Sequence, residues 1–316
     1  IATGEFRYIH DFVLDNMLHA RVVRPPAYHS RLVTVELDVV KSMRGVKQVI
    51  RDGSFLAVIG ENEYQVLKAS NRLASVAKWK PDGELSGTPI EHQLLQNPRR
   101  SISLETQTDP IELETRNLAT HAIEKLEVRY KRPYLMHAAI GPSCAIALYD
   151  GKELTVWTHS QGVYPLRDAL SFVLKLNDKN IRVIHLPGAG CYGHNGADDA
   201  ALDAALLAYR YKGSPIRVAW SRKDEHCWEP YGSAMLVDIE AGLDKDNNII
   251  YWNYDVYSDA HVKRPGPNTD GSQLLASWHL QESFSQPETT VPWNNIHLGL
   301  GFNAIPLYDI PNQNIN

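Results

Sequence analysis

Ile181-Arg182-Val183-Ile184-His185-Leu186 is followed by Pro187-Gly188-Ala189-Gly190-Cys191-Tyr192-Gly193-His194-Asn195-Gly196, and that by a run rich in alanine and leucine from Ala197 to about Tyr211. The spacing predicts a strand, a glycine-rich turn and a helix. Glycine adopts φ > 0 at little cost and lets backbone N–H groups come close to a ligand, while a helix points the positive end of its dipole at whatever occupies the turn before it. An anionic cofactor is the expected guest.

The chain on either side predicts further regular elements. Downstream, Ile216 to Trp220 reads as a strand, and Leu236–Gly242 with Ile249–Tyr257 as a long hairpin around Asp246-Asn247-Asn248. Upstream, Cys144–Tyr149 and Glu153–Trp157 flank Asp150-Gly151, a dipeptide suited to a tight hairpin turn. Thr158-His159-Ser160-Gln161-Gly162 then leads into a helix from about Pro165 to Leu176, and Ile123–Tyr130 reads as a strand. These elements argue a mixed sheet with helices packed on it. The segment up to about Lys80 predicts short strands at Met17–Val23, Leu32–Leu37, Val46–Ile50 and Phe55–Ile59 with two helices, one of them over Glu61–Val76, hence a small α+β domain. Periodicity fades from Pro81 to about Thr120, which reads as a surface linker. Beyond Arg264-Pro265-Gly266 the sequence is loop-like, and no internal repeat is found.

With 316 residues, two separate cores are expected. Net charge is −5 with 13 histidines taken as neutral, and no run of Lys and Arg forms a basic stripe, which argues against nucleic acid as a partner. Cys144, Cys191 and Cys227 form no C-x-x-C pair and are too scattered for a disulfide framework or a four-cysteine zinc site; they read as free, buried thiols. No window has the apolar length of a membrane span and no signal peptide is found. The chain opens without methionine and stops abruptly, so a piece of something longer is expected.

Gly188, Gly190 and Gly193 satisfy G-x-G-x-x-G between a strand and a helix, the fingerprint of a nicotinamide or flavin enzyme. Against that reading, Tyr211-Lys212 stands where the fingerprint needs a later acid to bind a ribose hydroxyl, Pro187 precedes the first glycine, and the motif sits mid-chain. A second reading comes from likeness. Thr158-His159-Ser160-Gln161-Gly162 with Gly190-Cys191-Tyr192-Gly193 resembles the paired loops of the large subunit of molybdenum hydroxylases, the xanthine dehydrogenase and aldehyde oxidoreductase family. Arg132-Pro133-Tyr134, Met136-His137, Gly141-Pro142 and Trp228-Glu229-Pro230-Tyr231-Gly232 resemble its isoquinoline 1-oxidoreductase and nicotinate dehydrogenase branch. Phe6 to about Trp79, with Asp11, Met17-Leu18-His19-Ala20 and Arg24, resembles its α/β-hammerhead domain.

The resemblance implies an α+β fold: a hammerhead domain over 1–80, a linker over 81–120, and a mixed-sheet molybdopterin-binding domain, incomplete, over 121–316. It implies a bacterial oxidoreductase that hydroxylates an N-heteroaromatic compound or aldehyde with oxygen from water. The cofactor would be molybdopterin dinucleotide in its cytosine form with molybdenum, and 2Fe-2S centres would sit on a partner subunit. Gln161 would orient the metal's apical ligand, and Gly162, Gly190, Cys191, Tyr192 and Gly193 would contact the cofactor. A pyrophosphate suits turn amides and a helix N-terminus, and a metal held by dithiolene sulfurs needs few protein ligands.

The purine-oxidising members' Lys-Glu pair is replaced by Asn195-Gly196, and their later Arg by Gly232, which disfavours a purine and leaves Trp228 and Tyr231 as an aromatic wall for the substrate. The family's general base, a downstream Glu, has no counterpart here, so the remainder of the molybdopterin subunit or another chain is expected to supply it. The compartment, bacterial cytoplasm or periplasm, is left open.

Plainer readings stand beside these. Gln161 also suits a helix-entry residue bonding nearby backbone, Cys191 a small apolar filler, and His159 and His194 hydrogen-bonded loop residues. Glu229 suits an exposed or Arg-paired carboxylate, and Asp198-Asp199 a pair stabilising a helix N-terminus through its dipole. The alternatives to the hydroxylase are a nicotinamide-dependent oxidoreductase using the turn at 188–193 and a non-catalytic binding or assembly module.

Overall fold

In the strand Phe55–Gly60 every residue is buried, and alternate side chains enter two different cores: Phe55, Ala57 and Ile59 go to one face of the sheet, Leu56 and Val58 to the other. This strand lies inside a seven-stranded mixed sheet. The computed structural model describes residues 1–81, 87–97, 118–188, 190–259, 264–266, 269–287, 304–310 and 312–316. They fall into two compact units. The first comprises Ile1–Leu85, Met136–Pro230 and Lys263–Pro287, the second Ser86–Leu135, Tyr231–Val262 and Glu288–Asn316.

Among the described residues nine strands belong to the first unit: β1 (Leu18–Val23), β2 (Arg31–Val35), β3 (Val46–Asp52), β4 (Phe55–Gly60), β5 (Ala77–Lys80), β7 (Cys144–Tyr149), β8 (Leu154–Thr158), β9 (Ile181–His185) and β10 (Ile216–Ala219). Seven of them are ordered β3-β4-β1-β10-β7-β8-β9, and β2 pairs with β5 separately. The β7–β8 hairpin turns on Gly151 at φ +106°, with Asp150 Oδ1 accepting from the Lys152 and Glu153 amides at 2.8 and 2.7 Å. β8 and β9 are parallel neighbours, so their C-terminal ends, at Thr158 and His185, lie side by side.

The Ala197–Arg210 helix packs along β7, β8 and β10 and is buried continuously from Ala197 to Ala208. Alanines at 200, 201, 204, 205 and 208 keep it thin enough for that place, and Leu202 and Leu207 fill the core beside the Val163–Leu174 helix. Its buried Asp203 accepts from Trp220 Nε1 at 3.0 Å and pairs with Arg24, which follows β1 and stacks 5.1 Å from the Trp220 ring. Burial pushes the Asp203 carboxyl up, against the pull of Arg24 and Trp220.

In the second unit, β6 (Glu124–Arg132), β11 (Met235–Leu243), β12 (Ile249–Ser258) and β13 (Gln313–Ile315) form a four-stranded sheet in the order β13-β12-β11-β6. The β11–β12 hairpin closes with Asn247 at φ +62° and Asp244 Oδ1 accepting from the Asp246 and Asn248 amides. An Ile90–Gln96 helix lies near β11 and β12.

The strands and helices expected around the glycine turn and in the segment before Pro81 are present. Three things differ. The long hairpin and the strand at 124–132 form a sheet of their own. β1 pairs in parallel with β10, so strands from the N-terminal segment share one sheet with β7–β10, and one compact unit takes in both Ile1–Leu85 and Met136–Pro230. The expected linker contains the Ile90–Gln96 helix, and its positions 82–86 and 98–117 lie outside the described residues. The local pattern also missed β5, β13 and the Arg222–Trp228 helix. No helix among the described residues is long and apolar enough to cross a membrane.

Arg24→Met leaves Asp203 buried without its cation, and a loss of about 3–5 kcal/mol is expected. Urea unfolding of the two proteins checks it, and a loss below about 1 kcal/mol would show that the pair carries no such weight.

Candidate functional site

Because β8 and β9 run in parallel side by side, the loop after Thr158 and the glycine turn after His185 leave from the same end of the sheet. That is the end at which open α/β sheets bind ligands. Among its described residues the turn is left-handed at Gly190 (φ +111°), Tyr192 (φ +55°) and Gly193 (φ +132°). Its glycines are used by the protein's own rings. A Cβ on Gly188 would lie 2.5 Å from His159 Nδ1, one on Gly190 2.7 Å from Tyr192 Cζ, and one on Gly193 2.3 Å from His137 Cδ2. Gly162 differs: the nearest atom to a Cβ there is Pro165 Cδ at 3.9 Å.

The two loops are joined through buried polar groups. Ser160 Oγ donates to Asp198 Oδ1 at 2.5 Å, His185 Nδ1 donates to the Ser160 carbonyl at 2.9 Å, and the Gly162 amide donates to Ser160 Oγ at 3.1 Å. Asp198 Oδ2 faces His194 Nε2 at 3.6 Å and Arg264 Nε at 3.9 Å. Burial alone would push the Asp198 carboxyl up; His194, Ser160 and Arg264 outweigh it and hold the group below the usual carboxylate range. Asn195 donates to the Gly190 carbonyl at 3.1 Å. His159 Nε2 accepts from the Cys144 amide at 3.2 Å, which a charged ring cannot do, and burial brings this histidine down to about 4.

Arg264 was named in the sequence only as the start of a loop, yet its guanidinium touches both loops. Nη1 donates to Gln161 Oε1 at 2.5 Å, and Nη2 donates to the Gly193 carbonyl at 2.7 Å and lies 3.4 Å from Cys191 Sγ. A single arginine far down the chain from the turn carries no local pattern that would have flagged it. Gln161 is exposed, Gly162 begins the Val163–Leu174 helix, and Cys191, half-buried, donates to the Gly193 carbonyl at 2.9 Å. Tyr192 is 62% exposed. The structure thus gathers Gln161, Gly162, Gly190, Cys191, Tyr192 and Gly193.

Trp228 is not among them: its ring sits in the core against Tyr28 and His279. Tyr231 belongs to the second unit. Glu229 is fully buried rather than exposed or Arg-paired, and its Oε1 accepts from the His137 and Ala138 amides at 2.5 and 3.3 Å. Cys144 is buried, and burial pushes its thiol up to about 12; Cys227, on the short Arg222–Trp228 helix, is exposed rather than buried.

Helix ends correct one further expectation. Asp198 and Asp199 occupy the first turn of the Ala197–Arg210 helix, and Asn195 Oδ1 accepts from the Ala197 amide at 3.3 Å, so this N-terminus is already complemented from within. Both acids are buried, and they do more than act on the dipole: Asp199 accepts from the Leu275 amide at 2.7 Å, and burial pushes its carboxyl up to about 7. By contrast, the Val163–Leu174 helix, which follows Gln161-Gly162, has no side-chain cap and no acid in its first turn. Its end is the one left open to an anion.

A sequence model of the molybdopterin cofactor-binding domain matches residues 103–278. The chain belongs to this family. It is 36% identical over 263 residues to a nicotinate dehydrogenase subunit from Pseudomonas putida, covering 80% of this chain and 22% of that protein. It is 24% identical to the beta chain of isoquinoline 1-oxidoreductase from Brevundimonas diminuta, over 99% of this chain and 38% of that one. Among solved structures, quinoline 2-oxidoreductase from Pseudomonas putida 86 superposes with a TM-score of 0.63 at 16% identity, over 81% of this chain and 37% of that one. The aldehyde oxidoreductase of Desulfovibrio desulfuricans does so at 0.65 and 12%, over 85% and 34%. The molybdopterin chain therefore spans well under half the length of these four relatives, and with the last two it shares the fold. The glycine turn belongs to a molybdopterin-binding domain; the nicotinamide reading, which needs bare glycine faces beneath a pyrophosphate, meets rings of His159, Tyr192 and His137 instead.

The His159 ring predicts a specific acid sensitivity. Unfolded, the ring takes a proton near 6.5; folded, only near 4. Between those values the unfolded chain binds the extra proton, so this contribution is fully present above pH 6.5 and is lost as pH falls towards 4. His159→Gln is expected to flatten that part of the stability curve, measured by denaturant unfolding from about pH 4 to about pH 8; an unchanged slope would place the ring's charge elsewhere.

Proposed function

We propose that this chain forms part of the molybdopterin-binding subunit of a molybdenum-dependent hydroxylase, acting on an N-heteroaromatic compound or an aldehyde with oxygen from water. One observation carries the reading. Two loops leave the same end of a parallel strand pair, and at that end an exposed Gln161, an open face at Gly162 and an uncapped helix terminus occur together. These features fit a large anionic pterin: a bare glycine face admits its ring system, and the Val163 and Tyr164 amides, with the positive helix end, suit its phosphates. Gly162, Gly190, Cys191, Tyr192 and Gly193 would hold it, and Gln161 would orient a ligand of the metal.

Bound there, the cofactor supplies a two-electron oxidant and an activated oxygen drawn from water. The residues of this chain orient and enclose it. Buried Asp198 fixes Ser160, and so the backbone entering Gln161, while the neutral His159 supports the turn from below without adding charge. Proton abstraction needs a base that none of these residues provides, and we assign it to a glutamate in the rest of the subunit or a partner chain. The cytosine dinucleotide form, an iron–sulfur partner carrying 2Fe-2S centres, and a hammerhead identity for residues 1–80 follow from the same reading. Relatives named for nicotinate and isoquinoline favour an N-heterocycle, and the core residue Trp228 does not serve as its aromatic contact.

Elemental and nucleotide analysis of the protein from its native host, with whatever co-purifies, is expected to give molybdenum in stoichiometric amount and a cytidine nucleotide. Adenine dinucleotide without molybdenum would overturn the reading. Gly162→Ala is expected to leave stability within about 0.5 kcal/mol, since the added methyl meets nothing closer than 3.9 Å, while reducing the molybdenum retained.

A further inference from the structure

We propose that Arg264 is the positioning residue of this site: it turns the Gln161 amide so that its –NH2 group is the one presented, and it ties that amide to the glycine turn. The proposal rests on the cofactor reading above. A guanidinium carries five N–H donors and no acceptor, so the Gln161 atom 2.5 Å from Arg264 Nη1 is the oxygen. The nitrogen, with its two hydrogens, is left for another partner. Gln161 is exposed, and without this bond the two ends of its amide, nearly equal in size, are free to exchange places.

Arg264 is itself held against that task. Nη2 donates to the Gly193 carbonyl at 2.7 Å and approaches Cys191 Sγ, and Nε faces the buried Asp198 carboxylate at 3.9 Å. One planar group therefore fixes the distance between the exposed amide on the first loop and the left-handed turn on the second. The site so built offers a hydrogen-bond donor from Gln161, selecting a partner that accepts, such as an oxo ligand, over one that donates. Lysine keeps the charge but lacks the fork that reaches Gln161 and Gly193 together.

The test compares Arg264→Met, Arg264→Lys, Gln161→Met and the Arg264→Met/Gln161→Met double variant in the full-length holoenzyme. Each Arg264 variant is expected to keep its molybdenum and pterin, to lose about 10- to 100-fold in kcat with KM little changed, and to shift the Mo(V) electron paramagnetic resonance signal as Gln161→Met does. The double variant is expected to be no slower than Gln161→Met, because Arg264 acts through that amide. Losses that multiply in the double variant, or a resonance signal unmoved by both Arg264 substitutions, overturn the proposal. Should the methionine variant fail to fold, the lysine variant carries the same two readouts. Wild-type protein without molybdenum removes the cofactor reading itself, and this proposal with it.

Discussion

The Asp198 carboxylate is the interaction on which the site depends. It is buried at the start of a helix that lies against the central sheet, where an isolated charge would be costly. One oxygen takes the Ser160 hydroxyl; the other faces His194 and Arg264. Through these contacts a single buried group sets both loops: Ser160 places the backbone leading to Gln161, and Arg264 bonds Gln161 and Gly193. Parallel pairing of β8 with β9 brings the loops to one end of the sheet, and Asp198 fixes their relation once there.

The glycine turn illustrates how one pattern serves two physical purposes. Glycine permits φ > 0 and it permits close approach, and the guest that approaches need not be a ligand. Here the faces of Gly188, Gly190 and Gly193 receive His159, Tyr192 and His137, so the glycines let rings pack against backbone and shape the turn from within. The open glycine is Gly162, on the other loop, at the head of a helix whose first-turn amides have no side-chain acceptor. Asp198 and Asp199 already complement the helix that follows the fingerprint, whereas the neighbouring helix has no acid in its first turn.

Much of the fold was legible where the signal is local. Asp150-Gly151 marked the β7–β8 hairpin, alternation at Met17–Val23 and Leu32–Leu37 marked β1 and β2, short β-rich runs marked β3 and β4, and the run after Gly196 marked the buried helix. What escaped depends on partners distant in the chain. The parallel pairing of β1 with β10 sets Leu18 beside Ile216, a separation that no sequence window records. Glu229 reads as a surface acid in sequence, yet it is buried because the amides of His137 and Ala138 meet it. Arg264 has no periodic neighbours and acquires its role only when the turn arrives beside it. Gln161, Gly162 and the turn at 190–193 stood out as candidates because they resemble a family; the residues holding them in place did not.

The most direct test is an anomalous-scattering map, collected at the molybdenum edge, from crystals of the holoprotein. The account predicts a molybdenum peak beside the amide nitrogen of Gln161, with pterin density against Gly162 and the turn from Gly190 to Gly193, and with Arg264 still donating to Gln161 Oε1. A metal peak remote from both loops, with Gly162 bare, would contradict it.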